Sequence, residues 1–246
     1  MKRLFDIVGA TAGLAVLAPL LLVVAALIWL QDFHSPFYRG ERVGRDGRPF
    51  RMVKFRSMVA RADRTGVRST AGDDRRITRV GQFVRRFKLD ELTQLWNVLR
   101  GDMSFVGPRP NVPTEVALYS QVERGLLAVR PGITDFASIV FSDEGEILRG
   151  SKDPDRDYNL LIRPWKSRLG LHYVAVRSVR LDVRLILLTL LAAASRPRAL
   201  GSVQQLLERT GAPPELVRVA GRDSRLVPTL PPGVTEAEWQ KHLTYA

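Results

Sequence analysis

The chain has 246 residues, 45% hydrophobic and 26% charged, long enough for one generous domain or two small ones around a real core. It has no cysteine, which excludes disulfides and thiolate chemistry, and His34, His172 and His242 are too scattered for a metal cluster. Lys and Arg number 38 against 25 Asp and Glu, a net charge of +13 that predicts an anionic partner: nucleic acid, a phosphorylated ligand or an acidic membrane surface.

Ile7 to Leu30 is an unbroken run of 24 uncharged, almost wholly apolar residues. As one helix it is about 36 Å long, enough to span the hydrocarbon core of a bilayer. The run is too long for a cleaved signal peptide, and no small-residue cleavage site follows Trp29-Leu30. Membrane insertion is the reading that fits. Pro19, at the midpoint, removes the bond to the Ala15 carbonyl and predicts a break into two halves of about 18 Å. Lys2 and Arg3 precede the run, and Arg39, Arg42, Arg45 and Arg48 follow it, so neither flank favours export. A helix broken at Pro19 that enters and leaves on one face satisfies both observations; a gently kinked spanning helix is the alternative.

Residues 31–48 read as a polar, Gly-rich connector, with turns at Ser35-Pro36 and Arg45-Asp46-Gly47. Phe50 to Met58 reads as a short strand whose two-residue period places Lys54 and Arg56 on one face. Residues 59–76 are charged and read as a surface loop. Thr78 is a candidate cap for a helix with an apolar stripe of Val80, Phe83, Val84 and Phe87. Leu92, Leu95, Trp96 and Leu99 predict an amphipathic helix over residues 90–100, stopped by Gly101. Asp90 and Glu91 then stand in its first turn, where acidic residues ordinarily do no more than complement the helix dipole. A carboxylate can also attack phosphorus, and a neighbouring one can hold Mg²⁺ against substrate phosphates. The cations Arg85, Arg86 and Lys88 before the pair, with Asp102 and Arg109 after it, favour that second reading. Arg109 between Pro108 and Pro110 is a rigidly held guanidinium fork suited to phosphate; Asp102 is equally a local turn cap.

Arg130-Pro131-Gly132-Ile133-Thr134 opens a β-prone apolar run to Phe141. Two helices are expected between Tyr158 and Ala194. The second carries Arg177, Arg180 and Arg184 on one side of an apolar stretch too short to span, fit either for the headgroup layer or for core packing. Trp165 is a candidate interfacial anchor. Residues 196–246 change character, with helical signals at Val203–Glu208 and Glu236–Leu243 and a Thr235/Glu238 capping box. Packing, or self-association into a homo-oligomer, is the role expected of this tail.

The run Leu89-Asp90-Glu91-Leu92, Gly101-Asp102-Met103-Ser104 and Gly107-Pro108-Arg109-Pro110 closely resembles the bacterial sugar transferases, the monotopic polyprenyl-phosphate phosphoglycosyl transferases. Glu41-Arg42-Val43-Gly44, Lys54-Phe55-Arg56-Ser57-Met58, Ile162-Arg163-Pro164-Trp165-Lys166 and Ser178-Val179-Arg180-Leu181-Asp182 extend the resemblance over residues 1–195 or so. It departs at Asp135 to Ile139 and Ser142 to Glu146, where many members carry Gly and a Gln-Val-Asn-Gly-Arg-like run. The family usually has serine where Ala18 precedes Pro19.

The resemblance implies a mainly helical α+β, monotopic protein in three parts. These are a re-entrant helix over 1–31, a catalytic domain over 32–195 with a small β element and interfacial amphipathic helices, and an extension over 196–246. It implies the cytoplasmic face of the bacterial inner membrane and transfer of a sugar phosphate from a UDP-sugar to polyprenyl (undecaprenyl) phosphate with release of UMP, early in exopolysaccharide, capsule or O-antigen synthesis. Asp90 would be the nucleophile and Glu91 would help bind Mg²⁺. Lys54, Arg56, Arg85, Asp102 and Arg109 would contact phosphates, and the lipid bilayer would be a partner. Two rival readings are a non-catalytic membrane scaffold and a membrane-tethered nucleic-acid binder. No nucleic-acid motif is present, so nucleic acid is not an expected partner.

Overall fold

A computed structural model of the chain describes residues 1–60, 62 and 74–238. Most of the loop expected over 59–76, and the end of the Glu236–Leu243 signal, lie outside the described residues.

The apolar N-terminal run forms α1 (Lys2–Leu30), 29 residues and about 43 Å long. The break expected at Pro19 is absent, and the element runs through it. Losing one N–H donor can bend a helix without dissolving the hydrogen bonds on either side. α1 is tied down at both ends. Lys2 Nζ bonds Asp182 (2.5 Å), the Tyr173 hydroxyl and the Val106 carbonyl (both 3.0 Å), and Asp6, 1% exposed, accepts from Ser104 Oγ and the Phe105 N–H. At the other end Val24 and Ile28 are buried with Phe55 and Val84. Its outer side stays bare: Val8, Val16, Leu22 and Val23 are each more than half exposed.

A hairpin follows. β1 (Phe37–Val43) and β2 (Pro49–Phe55) pair antiparallel, with Tyr38 opposite Lys54, Gly40 opposite Met52 and Arg42 opposite Phe50. β1 falls within the expected connector, since Arg39, Gly40, Glu41 and Arg42 disguise its alternation. α2 (Arg79–Arg86) is capped by Thr78, which accepts from the Gly81 N–H, as the sequence predicts. Only the Val80/Val84 half of its stripe packs inward; Phe83 and Phe87 are exposed and contact each other at 4.9 Å.

The helix expected over 90–100 is two short pieces, α3 (Leu89–Leu92) and α4 (Leu95–Arg100). Thr93 and Gln94 between them take tight, 3₁₀-like dihedrals, and Gly101 ends α4 at φ +92°. β3 (Ser104–Val106) leads through α5 (Pro113–Val116) to β4 (Gly132–Thr134), which pairs with β3 in parallel. The β-prone run stops there. Asp135 accepts from the Ser138 N–H at 2.7 Å and starts α6 (Phe136–Val140) with a capping box.

α7 (Glu144–Ile147) and α8 (Pro154–Asp157) are single turns; a π-helical turn, Tyr158–Ile162, then leads into α9 (Arg163–Val176) and α10 (Val179–Ala194). α10 packs on the core through the buried Leu181 and Leu185, as the second of its two expected roles requires, while Val183, Leu187 and Leu190 are exposed. Trp165 is no surface anchor: it is 8% exposed in the main core, because the first turn of α9 faces inward. α11 (Arg196–Arg209) and α12 (Pro214–Gly221) pack on that same core through Leu200, Val203, Leu207 and Leu216.

α9 is anchored by a buried ion pair. Arg163 (3% exposed) donates to Glu123 (0%) at 2.9 Å, and Glu123 also accepts from Ser167 Oγ and the Ser120 N–H. Removing one partner of such a pair strands the other charge. Glu123→Ala is therefore expected to cost about 3–5 kcal/mol in a denaturation experiment, whereas Glu146→Ala, which breaks the exposed pair with Arg149, leaves the midpoint unchanged.

Candidate active site

Asp90 and Glu91 open into a polar cavity of about 420 Å³ between the hairpin, α3 and α7. Lys88, at φ +52°, turns the chain into α3 and aims both carboxylates there. The left-handed conformation costs an L-residue about 1–2 kcal/mol, which the surrounding contacts must offset. Strand alternation brings Met52 and Lys54 to the cavity from β2 and Arg42 from β1.

Asn97 sets the spacing between strand and helix. Its side-chain oxygen accepts from the Val53 N–H at 2.9 Å and its amide donates to the Arg51 carbonyl at 2.8 Å, as a neighbouring strand would. The Thr93 hydroxyl lies between the carbonyls of Val53 (3.0 Å) and Asp90 (3.1 Å). Lys54 Nζ thereby stands 3.5 Å from Glu91 Oε1 and 3.9 Å from Asp90 Oδ2.

Arg109 enters from the loop after β3. Gly107 and Gly132 permit this loop to press against β4, since a Cβ on Gly132 would lie 2.1 Å from the Gly107 nitrogen. Arg109 Nη2 then reaches Glu91 Oε1 at 2.5 Å. Across the cavity Lys166 bonds Glu144 and lies over the Tyr158 ring.

These charges divide the two carboxylates. Burial raises the Asp90 carboxyl above the usual carboxylate range, opposed by Lys54, Arg109 and Arg85. Burial acts the same way on Glu91, but there Arg109 and Lys54 outweigh it and hold the group well below that range. Burial, and Arg109 after it, lower Lys54. Glu91 is the fixed counter-ion, and Asp90 is the carboxylate with no hydrogen-bond donor on its side chain among the described contacts, at ion-pair distance from Lys54 alone. A carboxylate so placed is free to attack an electrophile.

The structure brings Asp90, Glu91, Lys54, Arg85 and Arg109 together around this cavity. It does not bring Arg56 there. Its guanidinium makes a bidentate pair with Asp32 (both 2.6 Å) and donates to the Ser35 carbonyl, because β2 ends at Phe55 and the alternation ends with it. Asp102 is also elsewhere: it accepts from Asn97 Nδ2 at 3.2 Å and stands 3.7 Å from Arg100, a local cap past the Gly101 turn. Pro19 stays within α1. Arg42, Glu115, Glu144, Tyr158 and Lys166 are lining residues that sequence reasoning missed. The hairpin period could have found Arg42; nothing local joins Glu144 to Lys166.

For magnesium, Asp90 and Glu91 are adjacent acidic groups facing one polar cavity. No cluster of three or more His, Cys, Asp or Glu is gathered among the described residues. Mg²⁺ is commonly held by one or two carboxylates with water and substrate phosphates completing its shell, so this donor set fits.

The family model for bacterial sugar transferases matches residues 1–196. The undecaprenyl-phosphate glucose phosphotransferase of Komagataeibacter xylinus is 39% identical over 196 residues, 77% of this chain and 35% of that protein. The UDP-galactose-lipid carrier transferase of Erwinia amylovora is 42% identical over 149 residues, 54% of this chain and 31% of its own length. A putative undecaprenyl-phosphate N-acetylgalactosaminyl 1-phosphate transferase of Bacillus subtilis is 46% identical over 113 residues, 46% of this chain and 63% of its own. The chain thus spans less than two thirds of the length of each.

Lys54 is the foremost of the groups that restrain the Asp90 carboxyl. Lys54→Met is expected to move its titration further up, read by ¹³C NMR of labelled aspartate carboxyls with Asp90→Asn to assign the signal. An unmoved or lower midpoint would contradict the electrostatic assignment. Glu91 has the opposite sign. Its stabilising effect is complete above the unfolded value near 4.5 and is lost as pH falls through the lower folded value. Glu91→Gln is expected to flatten that acid limb in pH-dependent unfolding.

Proposed function

The chain belongs to the bacterial sugar transferase family, and from that premise we propose that it transfers a sugar 1-phosphate from a UDP-sugar to polyprenyl (undecaprenyl) phosphate through a covalent intermediate on Asp90. One observation carries this reading. A half-buried carboxylate whose side chain has no hydrogen-bond donor among the described residues lies in a cavity lined by six basic side chains, Arg42, Lys54, Arg85, Lys88, Arg109 and Lys166, against four acidic ones, Asp90 included. The cavity is cationic overall and accepts a diphosphate that an isolated acidic pair would repel.

In this mechanism an Asp90 oxygen attacks the β-phosphorus of the donor. The bond to the bridging oxygen breaks and UMP departs with that oxygen. The acceptor's phosphate oxygen then attacks the same phosphorus, regenerates the Asp90 carboxylate and forms a polyprenyl-diphosphate sugar. Arg109 and Lys54 hold Glu91 ionised and offset charge on the transferring group. Glu91 would help hold Mg²⁺, which supplies further neutralisation of the diphosphate. The relatives are named for glucose, galactose and N-acetylgalactosamine, so family membership points to the phosphoryl chemistry and leaves the sugar open.

We also propose that α1 dips into the cytoplasmic face of the bacterial membrane and returns to it, by a bend at Pro19 that leaves the helix continuous. Its apolar, bare outer side supports insertion. Its attachment to the same domain at Lys2 and at Ile28 supports re-entry, since a helix crossing the bilayer would carry one end away.

Incubation with UDP-sugars and magnesium, without acceptor, is expected to release a burst of about one UMP per chain. Asp90→Asn abolishes the burst, Glu91→Gln mainly raises the magnesium requirement, and a normal burst from Asp90→Asn would refute the nucleophile. For topology, the absence of native cysteine permits single-cysteine variants at the exposed Leu4 and Phe33. Both are expected to react with an impermeant thiol reagent from the cytoplasmic side only; labelling from opposite sides would establish a spanning helix.

A further inference from the structure

A second cavity, about 680 Å³, lies between α1, the hairpin and α4, within the range of about 300–1,000 Å³ usual for small-ligand sites. Its walls are apolar, built from Leu14, Ala18, Leu21 and Leu22 on one side and Phe37, Val53 and Trp96 on the other. The two uncharged polar residues that reach it, Thr93 and Asn97, are committed to β2 through the bonds described above. Among the described residues its charged lining is Arg39, Arg51 and Arg100. No ion pair engages Arg39 or Arg51 among the described residues, and Arg100, 62% exposed, stands 3.7 Å from Asp102. Glu41 lies opposite Arg51 in the sheet but makes no ion pair with it and does not line the cavity. An apolar trough with a cationic rim complements an amphiphile with an anionic head, and guanidinium forks match phosphate geometry.

Strand alternation also says what this amphiphile is not. Arg39, Arg51 and Val53 point to one face of the hairpin, whereas Arg42, Met52 and Lys54 point to the other, toward Asp90. A phosphate held at Arg39 and Arg51 is separated from Asp90 by the sheet, so it does not belong to a reacting lipid.

We propose that this cavity binds one anionic diacyl phospholipid, its acyl chain lying along α1 between Leu14 and Leu22 and its phosphate held by Arg39, Arg51 and Arg100. The inference rests on the membrane placement of α1 proposed above. It gives the lipid a structural consequence. Thr93 and Asn97 line this cavity and also fix β2 to the segment bearing Asp90, so a filled trough keeps packed the wall that both sites share.

The test uses the full chain in detergent with equimolar phosphatidylglycerol and phosphatidylcholine, read by native mass spectrometry, together with flotation on vesicles of each lipid. One retained phosphatidylglycerol per chain is expected, preferred about tenfold or more. The combined Arg39→Gln, Arg51→Gln, Arg100→Gln variant is expected to lose the preference. Ala18→Trp, which fills the trough, is expected to abolish retention while flotation persists. Equal retention of both lipids, or a preference that survives the arginine variant, would overturn the site. Flotation on both vesicles with no retained phosphatidylglycerol would overturn the lipid site alone, and flotation on neither would overturn the membrane placement as well.

Discussion

Lys54, Arg109, Asp90 and Glu91 share one half-open cavity, each of them partly shielded from water and each compensated by the others. Arg109 and Lys54 keep Glu91 ionised, and Glu91 in turn lets two cations stand together beside Asp90. The arrangement depends on a clamp outside the charged group. Asn97 pairs with the backbone of β2 and fixes the strand carrying Lys54 against the helices carrying the carboxylates. A shift of even an ångström there would part a half-buried charge from its partner.

From this centre the remaining elements follow. The Gly107–Gly132 contact brings Arg109 inward, and the Arg163–Glu123 pair anchors the helix that presents Lys166. α1 binds the whole assembly along its length, with Lys2 locked to Asp182 at one end and Ile28 packed beside Phe55 at the other. In the proposed membrane placement, a helix held this way would set the cavity beside the headgroup layer.

What the sequence revealed was mostly local. The Thr78 cap, the Gly101 stop and the grouping of Asp90, Glu91 and Arg109 rest on residues within a few turns of one another, and the resemblance tied Lys54 and Arg85 to them. What it concealed depended on distant partners. Arg56 looked equivalent to Lys54 until Asp32, 24 residues away, claimed its guanidinium. Two other outcomes are local: Asp102 takes the turn-cap role that the sequence left open beside the phosphate one, and Asp135 caps a helix through Ser138 inside a run whose composition favours strand. β1 was hidden because its charged residues obscure the alternation that its pairing with β2 makes plain. The inward placement of Trp165 could not be read from an aromatic beside basic residues, a pattern common to anchors and cores alike.

The central claim is that the Asp90 carboxylate becomes bonded to phosphorus. Its most direct test is rapid quench with a donor carrying isotopic label in the β-phosphate and no acceptor present, followed by digestion and mapping of the label. The account predicts label on the peptide containing Asp90, removed by hydroxylamine and discharged when polyprenyl phosphate is added. Formation of lipid product at full rate while that peptide never carries label would contradict it.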